Sequence, residues 1–357
     1  MKVKLGDLTK IRTGKLDANA SSPNGKYPFF TCSKEPLRIN SHSYDCECVL
    51  VAGNGDLNVK YYNGKFDAYQ RTYIIEDNGN NQLYMPYLYY FMEGYVEELR
   101  KLSIGGVIKY IKLGNLTEAL IELPKIEDQR TIVDILNKSK RILSYHQQQL
   151  QKLDELVKAR FVEMFGDCKS MVSMNKLCSI ITDGTHQPPR FQESGIPFIF
   201  VSNLVGNVVT YNAEKFISED TYAELYKRTP IEIGDLLLST VGSYGHPAVV
   251  TEDRKFLFQR HIAYLKPRHN MVNSFYLHSA LLAPDGQRQI EEKVKGIAQK
   301  TLNLSEIKKI VVPLPTIEEQ NQFEKFVNQT DKSKAAVQKS LDEAQILFDS
   351  LMQHYFG

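Results

Sequence analysis

The feature that most constrains the fold of this chain is an internal repeat. The segment Leu-Pro-Lys-Ile-Glu-Asp-Gln at residues 123–129 returns as Leu-Pro-Thr-Ile-Glu-Glu-Gln at residues 314–320, an offset of 191 positions. The same offset relates Met-Phe-Gly at 164–166 to Tyr-Phe-Gly at 355–357. The residues between these anchors have the charge and apolar spacing of a long helix, and a Leu-Pro pair introduces each one. The pattern predicts two globular domains, each followed by a helical arm.

The repeat continues upstream of the arms, with gaps. Tyr-Gln-Arg at 69–71 resembles Phe-Gln-Arg at 258–260, and the strand-like Val-Leu-Val at 49–51 resembles Leu-Leu-Leu at 236–238. The arms align without gaps while the globular parts differ in length, which indicates arms held to one geometry. The predicted segments are a first globular domain at 1–124, a central helical arm at 125–166, a second globular domain at 167–315 and a C-terminal helical arm at 316–357.

Composition excludes several classes of protein. The 357 residues are 42% hydrophobic and 24% charged, enough for sizeable cores, but the net charge is only +2. Any nucleic-acid surface must therefore come from local clustering of charge. No 18-residue apolar run and no signal-peptide pattern is present. The five cysteines form no Cys-x-x-Cys pair, so we expect reduced thiols and a cytoplasmic location.

Heptad patterns predict that the arms form a coiled coil. In the first arm the series consists of Leu136, Leu143, Leu150, Val157 and Met164, with Leu153 at a d position. In the second arm it consists of Val327, Lys334, Leu341, Phe348 and Tyr355, with Phe323 and Leu351 at d positions. An arm of roughly 37 residues spans about 55 Å. The irregular d positions fit an antiparallel or locally loosened coiled coil better than a stand-alone zipper. Two arms of one chain can pair with each other, and dimerisation between chains remains the alternative.

The ends of the arms and the globular halves also carry local signals. Thr316 and Glu319 are spaced as a capping box. Short apolar runs bounded by Gly, Asn or Asp predict strands, and residues 85–102 and 274–295 are each predicted as a helical piece. The fold class is therefore α/β (α+β), with two globular domains in tandem.

Catalytic motifs are absent from the sequence. An S-adenosylmethionine-dependent amino-methyltransferase needs an Asn/Asp-Pro-Pro-aromatic element, whereas the one Pro-Pro pair lies in Gln-Pro-Pro-Arg at 187–190. We find no P-loop, no zinc-ligand cluster and no Ser-His-Asp set. The carboxylates and lysine at 285–293 are better explained as a solvated helix face than as a nuclease site.

Polar loops that follow predicted strands suit binding instead. Arg and Lys side chains read guanine acceptors, whereas Asn and Gln read adenine. The candidates in the first domain are Arg12, Thr13, Lys15, Asn54, Asn58, Lys60, Gln70, Arg71 and Lys109. Those in the second domain are Thr182, Asp183, Thr185, His186, Arg190, Ser243, Tyr244, His246, Gln259, Arg260, His261, Gln299 and Lys300. Any one of them also fits an ordinary turn.

Taken together, these elements resemble the DNA-specificity subunits of type I restriction-modification systems. The features that carry the resemblance are the doubled Leu-Pro-x-x-x-Glu/Asp-Gln helix start, the arms ending in Phe-Gly, the Asp-Gly-Thr-His loop at 183–186 and the Gly-x-x-Gln-x-x-Leu-Asn stretch at 296–303. The first domain departs from the pattern, because Arg-Thr-Gly-Lys at 12–15 and Gly-Val-Ile at 106–108 stand at the corresponding places.

The resemblance implies a non-catalytic subunit that reads a bipartite double-stranded DNA target. Each globular domain would be a target recognition domain, and the paired arms would set the spacer between half-sites. Modification (methyltransferase) subunits would bring S-adenosylmethionine and methylate adenine, and a restriction (translocase/endonuclease) subunit would use ATP and Mg. No cofactor is expected in this chain. A coiled-coil scaffold with two ligand-binding domains and no nucleic acid is the main alternative, and a degenerate enzyme is a third possibility.

Overall fold

The computed structural model describes residues 2–296 and 299–357. Contacts divide the chain into two compact units, Met1–Gln147 with Lys339–Gly357, and Gln148–Gln338. Each unit therefore holds one globular domain and a part of both long helices. The mixed helix and sheet architecture with two globular domains, predicted from the repeat, is confirmed.

The first unit is built on a single large sheet. Its strands are β1 (Lys2–Lys4), β2 (Thr9–Thr13), β3 (Tyr27–Phe30), β4 (Leu37–Ile39), β5 (Tyr44–Ala52), β6 (Val59–Ala68), β7 (Thr72–Asp77) and β8 (Leu120–Glu122). Its helices are α1 (Leu5–Leu8), α2 (Met85–Leu102), α3 (Leu113–Thr117) and the start of the long helix α4 (Ile126–Phe165). The sheet has the order β2-β7-β5-β6-β3-β4, and β1 pairs separately with β8.

The ten-residue strand β6 joins two kinds of pairing in this sheet. It runs antiparallel to β5 from Val59 to Phe66, and its end runs parallel to β3 at Asp67 and Ala68. One face of the sheet carries α2, whose Tyr87, Leu88, Tyr90 and Leu99 are buried in the core. Tyr87, Leu88 and Tyr90 are at most 2% exposed, as expected for the packing role of most of these aromatics.

The second unit divides the same plan among smaller sheets. Its strands are β9 (Met171–Ser173), β10 (Cys178–Asp183), β11 (Ile196–Ile199), β12 (Lys215–Ile217), β13 (Leu236–Ser239), β14 (Pro247–Val249), β15 (Leu257–Phe258), β16 (Ile262–Pro267) and β17 (Val311–Pro313). Its helices are α5 (Met174–Leu177), α6 (Glu219–Tyr226), α7 (Ser274–Leu282), α8 (Pro284–Lys293), α9 (Leu304–Ile307) and the start of α10 (Ile317–Phe356). The sheet orders are β10-β16-β13-β14, β12-β11-β15 and β17-β9.

The segment 274–295, predicted as one helical piece, is two helices. Helix α7 ends at Leu282, and Pro284 occupies the first turn of α8. Proline has no backbone N–H and fits the first turn of a helix, so it starts a new helix here and does not continue the old one. Gly286 then lies so close to α7 that a Cβ would come within 2.3 Å of the Ala280 carbonyl oxygen.

Both long helices are least exposed along one stripe. In α4 the stripe follows the positions 132, 136, 139, 143, 146, 150, 153, 157, 160 and 164, and in α10 it follows 323, 327, 330, 334, 337, 341, 344, 348 and 351. These are the a and d positions of the predicted heptads. Each helix has 40 residues, a length of about 60 Å.

Contacts inside the second unit show the direction of this pairing. Phe161 stacks edge-on against Phe323 at 5.5 Å, and the Asp154 carboxylate lies 2.7 Å from Lys334 Nζ. As residue numbers increase along α4, the residue numbers of their contacts in α10 decrease, so the two helices run antiparallel there. Burial lowers the pKa of Lys334 at this a position, but the hydrogen bond and the charge of Asp154 outweigh it, so the pKa is raised on balance and the ammonium group stays charged and paired. Inside the first unit, Lys140 Nζ lies 6.0 Å from the Phe348 ring centroid.

A buried glutamine explains the last position of the repeated helix-start motif. The Gln129 side chain is fully buried, donates to the carbonyls of Gln82 and Pro124 at 2.9 Å, and accepts from the Tyr84 N–H at 2.8 Å. Because a buried amide is costly unless it is fully bonded, this clamp joins the long helix to its globular domain.

The second unit repeats the clamp. The buried Gln320 donates to the carbonyls of Met271 and Pro315 at 3.2 and 3.0 Å, and accepts from the Asn273 N–H at 2.8 Å. The predicted capping box is present beside it, with the Thr316 N–H donating to Glu319 at 2.9 Å. The sequence showed the conserved spacing of the two glutamines within the repeat, and the structure gives the reason for it.

Candidate nucleic-acid interface

A glycine in each domain lets two loops approach at the end of the sheet. A Cβ on Gly14 would come within 2.2 Å of the Ala68 carbonyl oxygen, and a Cβ on Gly184 within 2.2 Å of the Phe258 carbonyl oxygen. The two glycine N–H groups donate to Thr72 at 3.0 Å and to Ile262 at 3.2 Å. The loops 12–15 and 183–186 differ in sequence but share this backbone arrangement, because only glycine leaves room for it.

A second set of backbone hydrogen bonds is also shared. The N–H of Gly53 donates to Arg71 at 2.8 Å, and the N–H of Thr240 donates to His261 at 2.9 Å. The segment between α2 and α3 of the first domain and that between α8 and α9 of the second join in, since the Ile111 N–H donates to Gly53 at 2.9 Å. In the second domain the Leu302 N–H donates to Thr240 at 2.8 Å. Four chain segments therefore meet in the same way in both domains.

These hydrogen bonds correct the alignment of one tripeptide. The sequence resemblance pairs Gln70 with Gln259 and Arg71 with Arg260, but the backbone pattern matches Gln70 to Arg260 and Arg71 to His261. The turn bonds agree, because the Thr72 N–H donates to Tyr69 and the Ile262 N–H donates to Gln259. Side-chain similarity misled the alignment by one residue, since hydrogen-bond register and not residue type defines equivalent positions.

The first domain has a cleft of about 280 Å³ where its four segments meet. It is lined by Thr13, Gly53, Gln70, Arg71, Tyr73 and Ile111. Gln70 and Arg71 are exposed, and the Gln70 amide donates to Asp17 at 2.8 Å. The cleft therefore presents an amide and a guanidinium group to solvent.

The second domain has the matching cleft, of about 270 Å³. Its polar lining consists of Asp183, Thr240, Arg260, His261, Gln299, Thr301 and Asn303. Arg260 Nε lies 3.3 Å from His261 Nε2. The pKa of His261 is lowered, mainly by burial and to a lesser extent by the positive charge of Arg260. His261 is therefore neutral near pH 7 and accepts a hydrogen bond from Arg260.

Asp183 stands in the second cleft where Thr13 stands in the first. Its carboxylate lies 2.6 Å from Arg228 Nη2 and 2.8 Å from His186 Nε2. The side chain is only 16% exposed, so it positions its two basic partners more than it offers acceptors to a ligand. Arg228 was not among the sequence candidates, because no motif connects it with residue 183.

Several first-domain candidates lie in internal contacts. Arg12 Nη2 is 2.7 Å from Glu76, and its guanidinium group stacks on Tyr44 with 4.7 Å to the ring centroid. The Asn58 amide donates to the carbonyls of Cys32 and Asp56 at 2.8 Å. Lys60 donates to Asn58, and burial lowers its pKa. Asn54 pairs across a bridge with Tyr110, whereas Lys15 and Lys109 are exposed.

Second-domain candidates outside the cleft are similarly engaged. Lys300 Nζ lies 2.9 Å from Glu291, which also accepts from the Tyr244 hydroxyl. His246 Nδ1 is 3.1 Å from the Asn207 amide oxygen, and the Thr185 hydroxyl donates to the Gln187 carbonyl at 2.9 Å. Thr182 in β10 pairs with Tyr264 of β16, Gln259 forms a bridge with Thr185, and Ser243 and Arg190 lie on exposed loops.

Sequence reasoning missed other residues of the two clefts. Thr240 and Asn303 line the second cleft, and Asn303 had a signal, since it ends the Gly-x-x-Gln-x-x-Leu-Asn stretch. Val107 and Ile108 form the exposed tip of the hairpin that leads into the cleft residue Ile111, and a search for polar groups passed over them.

Residues 2–296 and 299–357 were also compared with the requirements of a metal site and of a membrane-spanning helix. In this part of the chain, no group of three or more His, Cys, Asp or Glu side chains is placed to hold a metal ion. No helix there combines the length and the apolar character that crossing a membrane requires.

Comparison with known proteins gives a consistent result. The family model described as "Type I restriction modification DNA specificity domain" matches twice, at residues 1–155 and 190–345. The EcoDI type I restriction enzyme specificity subunit of Escherichia coli is 38% identical over 156 residues, which cover 44% of this chain and 34% of that protein. The EcoBI specificity subunit of Escherichia coli is 24% identical over 313 residues, 78% of this chain and 65% of that protein.

A solved structure shares the fold. The type I restriction-modification S subunit from M. genitalium superposes with a TM-score of 0.60 at 16% identity, covering all of this chain and 96% of that one. At this identity the likeness concerns the fold alone, whereas the two family matches span most of the sequence. The chain belongs to the type I restriction-modification DNA specificity family.

Proposed function

We propose that this chain is the non-catalytic specificity subunit of a cytoplasmic type I restriction-modification complex, reading a bipartite double-stranded DNA target. One domain, at 1–124, reads one half-site and the other, at 167–315, reads the second. The helical segments 125–166 and 316–357 separate the two. Modification subunits supply S-adenosylmethionine and methylate adenine, and a restriction subunit supplies the ATP- and Mg-dependent activities.

The observation that carries the proposal is the pair of clefts. Both use one backbone arrangement, but Thr13, Gln70 and Arg71 in the first stand against Asp183, Arg260 and His261 in the second. A shared scaffold with different donors and acceptors is what two readers of different base sequences require. A catalytic pair of domains would repeat its reactive side chains.

Exposed basic and amide groups favour DNA over a neutral ligand. Arg71 and Arg260 are exposed at the clefts, with Lys15 and Lys109 on neighbouring loops of the first domain. Arginine binds guanine O6 and N7 through two hydrogen bonds, and lysine binds phosphate. We assign base contacts to Gln70, Arg71, Arg260, His261 and Gln299, and backbone contacts to Lys15, Lys109 and Arg190. Arg12, Lys60 and Lys300 serve mainly to hold the loops.

The long helices suit a ruler. A 40-residue helix of about 60 Å corresponds to about 18 base pairs of duplex at roughly 3.4 Å each. The buried Gln129 and Gln320 clamps tie each helix start to its own domain. A length change in the helices would therefore pass directly to the domains and not be absorbed by a flexible joint.

The first experiment is a methylome comparison. A cell that expresses this chain with its modification subunit is sequenced for N6-methyladenine, against the same cell lacking this chain alone. We expect one split motif to lose methylation when the chain is absent. An unchanged methylome, with an active modification subunit demonstrated on another specificity subunit, would overturn the proposal and favour a scaffold without nucleic acid.

A second experiment tests the ruler. Seven residues are inserted between Gln147 and Gln148 and between Gln338 and Lys339, where the two compact units divide. The added turns lengthen each helix by about 10 Å, so we expect the spacer of the methylated motif to grow by about three base pairs with unchanged half-sites. The control replaces seven exposed residues at the same places without changing length. An unchanged spacer in the longer protein would refute the ruler.

A further inference from the structure

An apolar tip stands beside the cleft of the first domain. Val107 is fully exposed and Ile108 is 64% exposed, at the end of a hairpin that runs from Ile104 to Tyr110. Exposed apolar side chains are common on protein surfaces, so the tip gains significance only from its neighbours; two adjacent branched side chains at a loop tip can still bury apolar area against a ligand.

The hairpin is held firmly. Ile104 and Tyr110 exchange backbone hydrogen bonds of 3.0 and 2.9 Å, and the Gly55 N–H donates to the Lys109 carbonyl at 3.0 Å. Gly105 adopts a φ of +117°, which a residue with a side chain rarely takes. The base of the hairpin is therefore fixed beside the cleft, since Ile111, which follows Tyr110, donates to Gly53 at 2.9 Å and both residues line the cleft.

The surroundings of the tip indicate an anionic partner. Lys109 follows Ile108 directly, and Arg71 lies in the adjoining cleft. Both are exposed, and among the described residues neither forms an ion pair. An apolar contact flanked by unpaired cations fits a nucleic acid, whose base edges carry apolar methyl groups between charged backbones.

The second domain shows what the tip replaces. Its hairpin is held in the same way, with the Gly242 N–H donating to Lys300 at 3.4 Å, and Gly296 has a φ of +103° where Gly105 has +117°. Gln299 then occupies the place of Ile108, and it lines the second cleft. An amide reads a base through hydrogen bonds, whereas isoleucine has none to offer.

We propose that Val107 and Ile108 contact the 5-methyl group of a thymine in the half-site read by the first domain. The inference rests on the proposed function and adds a specificity determinant to it. The thymine methyl is the apolar group that a major-groove base edge presents, and its O4 acceptor lies beside it for a donor such as Gln70 or Arg71. The first half-site therefore contains a thymine whose methyl group contributes to binding.

The test uses the full chain in complex with its modification subunits. Once the methylome gives the motif, each thymine of both half-sites is replaced singly by deoxyuridine, which removes the methyl group and keeps every hydrogen-bonding group. We expect one position of the first half-site to bind on the order of fourfold more weakly. Ile108→Ser with Val107→Ser should remove this difference between thymine and uracil at that position alone.

The control variant is Val205→Thr, at an exposed valine of the second domain outside the clefts. It should keep the full discrimination between thymine and uracil. A first half-site without thymine, a uracil series with no effect, or a double variant that weakens thymine and uracil duplexes equally would each overturn the inference while leaving the proposed function standing. Failure of the whole complex to bind or methylate any motif would instead refute the proposed function.

Discussion

The two globular domains share a backbone arrangement and differ in almost everything attached to it. Gly14 and Gly184 make the same close approach, and the pairs Ile104–Tyr110 and Lys295–Thr301 exchange equivalent backbone hydrogen bonds. In the first domain the cleft lies at the end of one six-stranded sheet, whereas the second domain divides the corresponding strands among separate sheets. The meeting point of four loops is thus preserved while its support and its side chains change.

The comparison indicates which parts of such a domain can vary. Hydrogen bonds between main-chain groups do not depend on residue type, provided that glycine stands where a Cβ would collide. Exposed positions such as 70, 71 and 260 contribute little to the core, so they are free to differ. Side-chain chemistry can therefore change in one domain without loss of the fold.

The largest expected effect concerns the glycine approach. Gly14→Ala and Gly184→Ala each place a methyl group about 2.2 Å from a backbone carbonyl oxygen, and neither backbone can move freely. We expect each to lower the free energy of unfolding of its own unit by about 3 kcal/mol or more. Urea unfolding followed by hydrogen exchange of each unit measures this.

The control for this comparison is Gly114→Ala, whose added methyl group meets no atom within 4 Å. It should change stability by less than about 0.5 kcal/mol. Equal effects of all three substitutions would show that the two close approaches carry no special constraint.

The second prediction concerns the glutamine clamps. Gln129→Ala and Gln320→Ala remove three hydrogen bonds each and leave buried partners unsatisfied, so we expect losses of about 2–4 kcal/mol in unfolding free energy. Thermal unfolding of each variant tests the loss. Gln322→Ala, on an exposed face of the same helix as Gln320, should be nearly neutral. If Gln129→Ala or Gln320→Ala left the unfolding free energy unchanged, the repeated glutamine would not anchor the long helix to its domain.

The third prediction sharpens the difference between the clefts. Arg71→Ala should weaken recognition of one half-site by about 1–3 kcal/mol, and Arg260→Ala should do so for the other, because an arginine that bonds a base acts only locally. Binding of duplexes with each half-site scrambled in turn measures both. The exposed Lys65→Ala and Lys215→Ala serve as controls. If both arginine variants weakened the same half-site, the division of labour between the domains would be wrong.

The smallest expected effect is a pH dependence of stability in the second unit, which comes from two of its histidines. Burial lowers the pKa of His278, whose Nε2 lies 3.0 Å from the Asn207 carbonyl oxygen, and burial also lowers the pKa of His261. A histidine whose folded pKa lies below its ordinary value of 6.5 contributes its full stability above 6.5. That stability is lost as the pH falls from 6.5 through the folded pKa, since the unfolded state then binds more protons.

We therefore expect the second unit to lose stability on acidification from about pH 7 to about pH 5.5. Hydrogen exchange of α7 peptides at the two pH values measures the loss. His278→Gln should reduce this dependence, with the exposed His186→Gln as the matched control. A dependence that is unchanged in His278→Gln would assign the acid sensitivity to other groups.

Much of the architecture followed from the sequence alone. The offset of 191 positions predicted two domains and two long helices, and helix α2 has the predicted bounds, 85–102. These features are readable because helical periodicity, Leu-Pro starts and capping residues act over a few neighbouring positions. The Asp-Gly-Thr-His loop likewise located one part of the second cleft.

The tertiary structure decided which polar side chains are free to meet a ligand. Arg12 and Lys300 look as suitable as Arg71 in sequence, but they pair with Glu76 of β7 and Glu291 of α8, which lie on other elements. The tertiary structure also showed that Arg71 is equivalent in position to His261, and that the helix breaks before Pro284. Periodicity is a local property of the chain, whereas ion pairs and hydrogen-bond register depend on segments that meet only after folding.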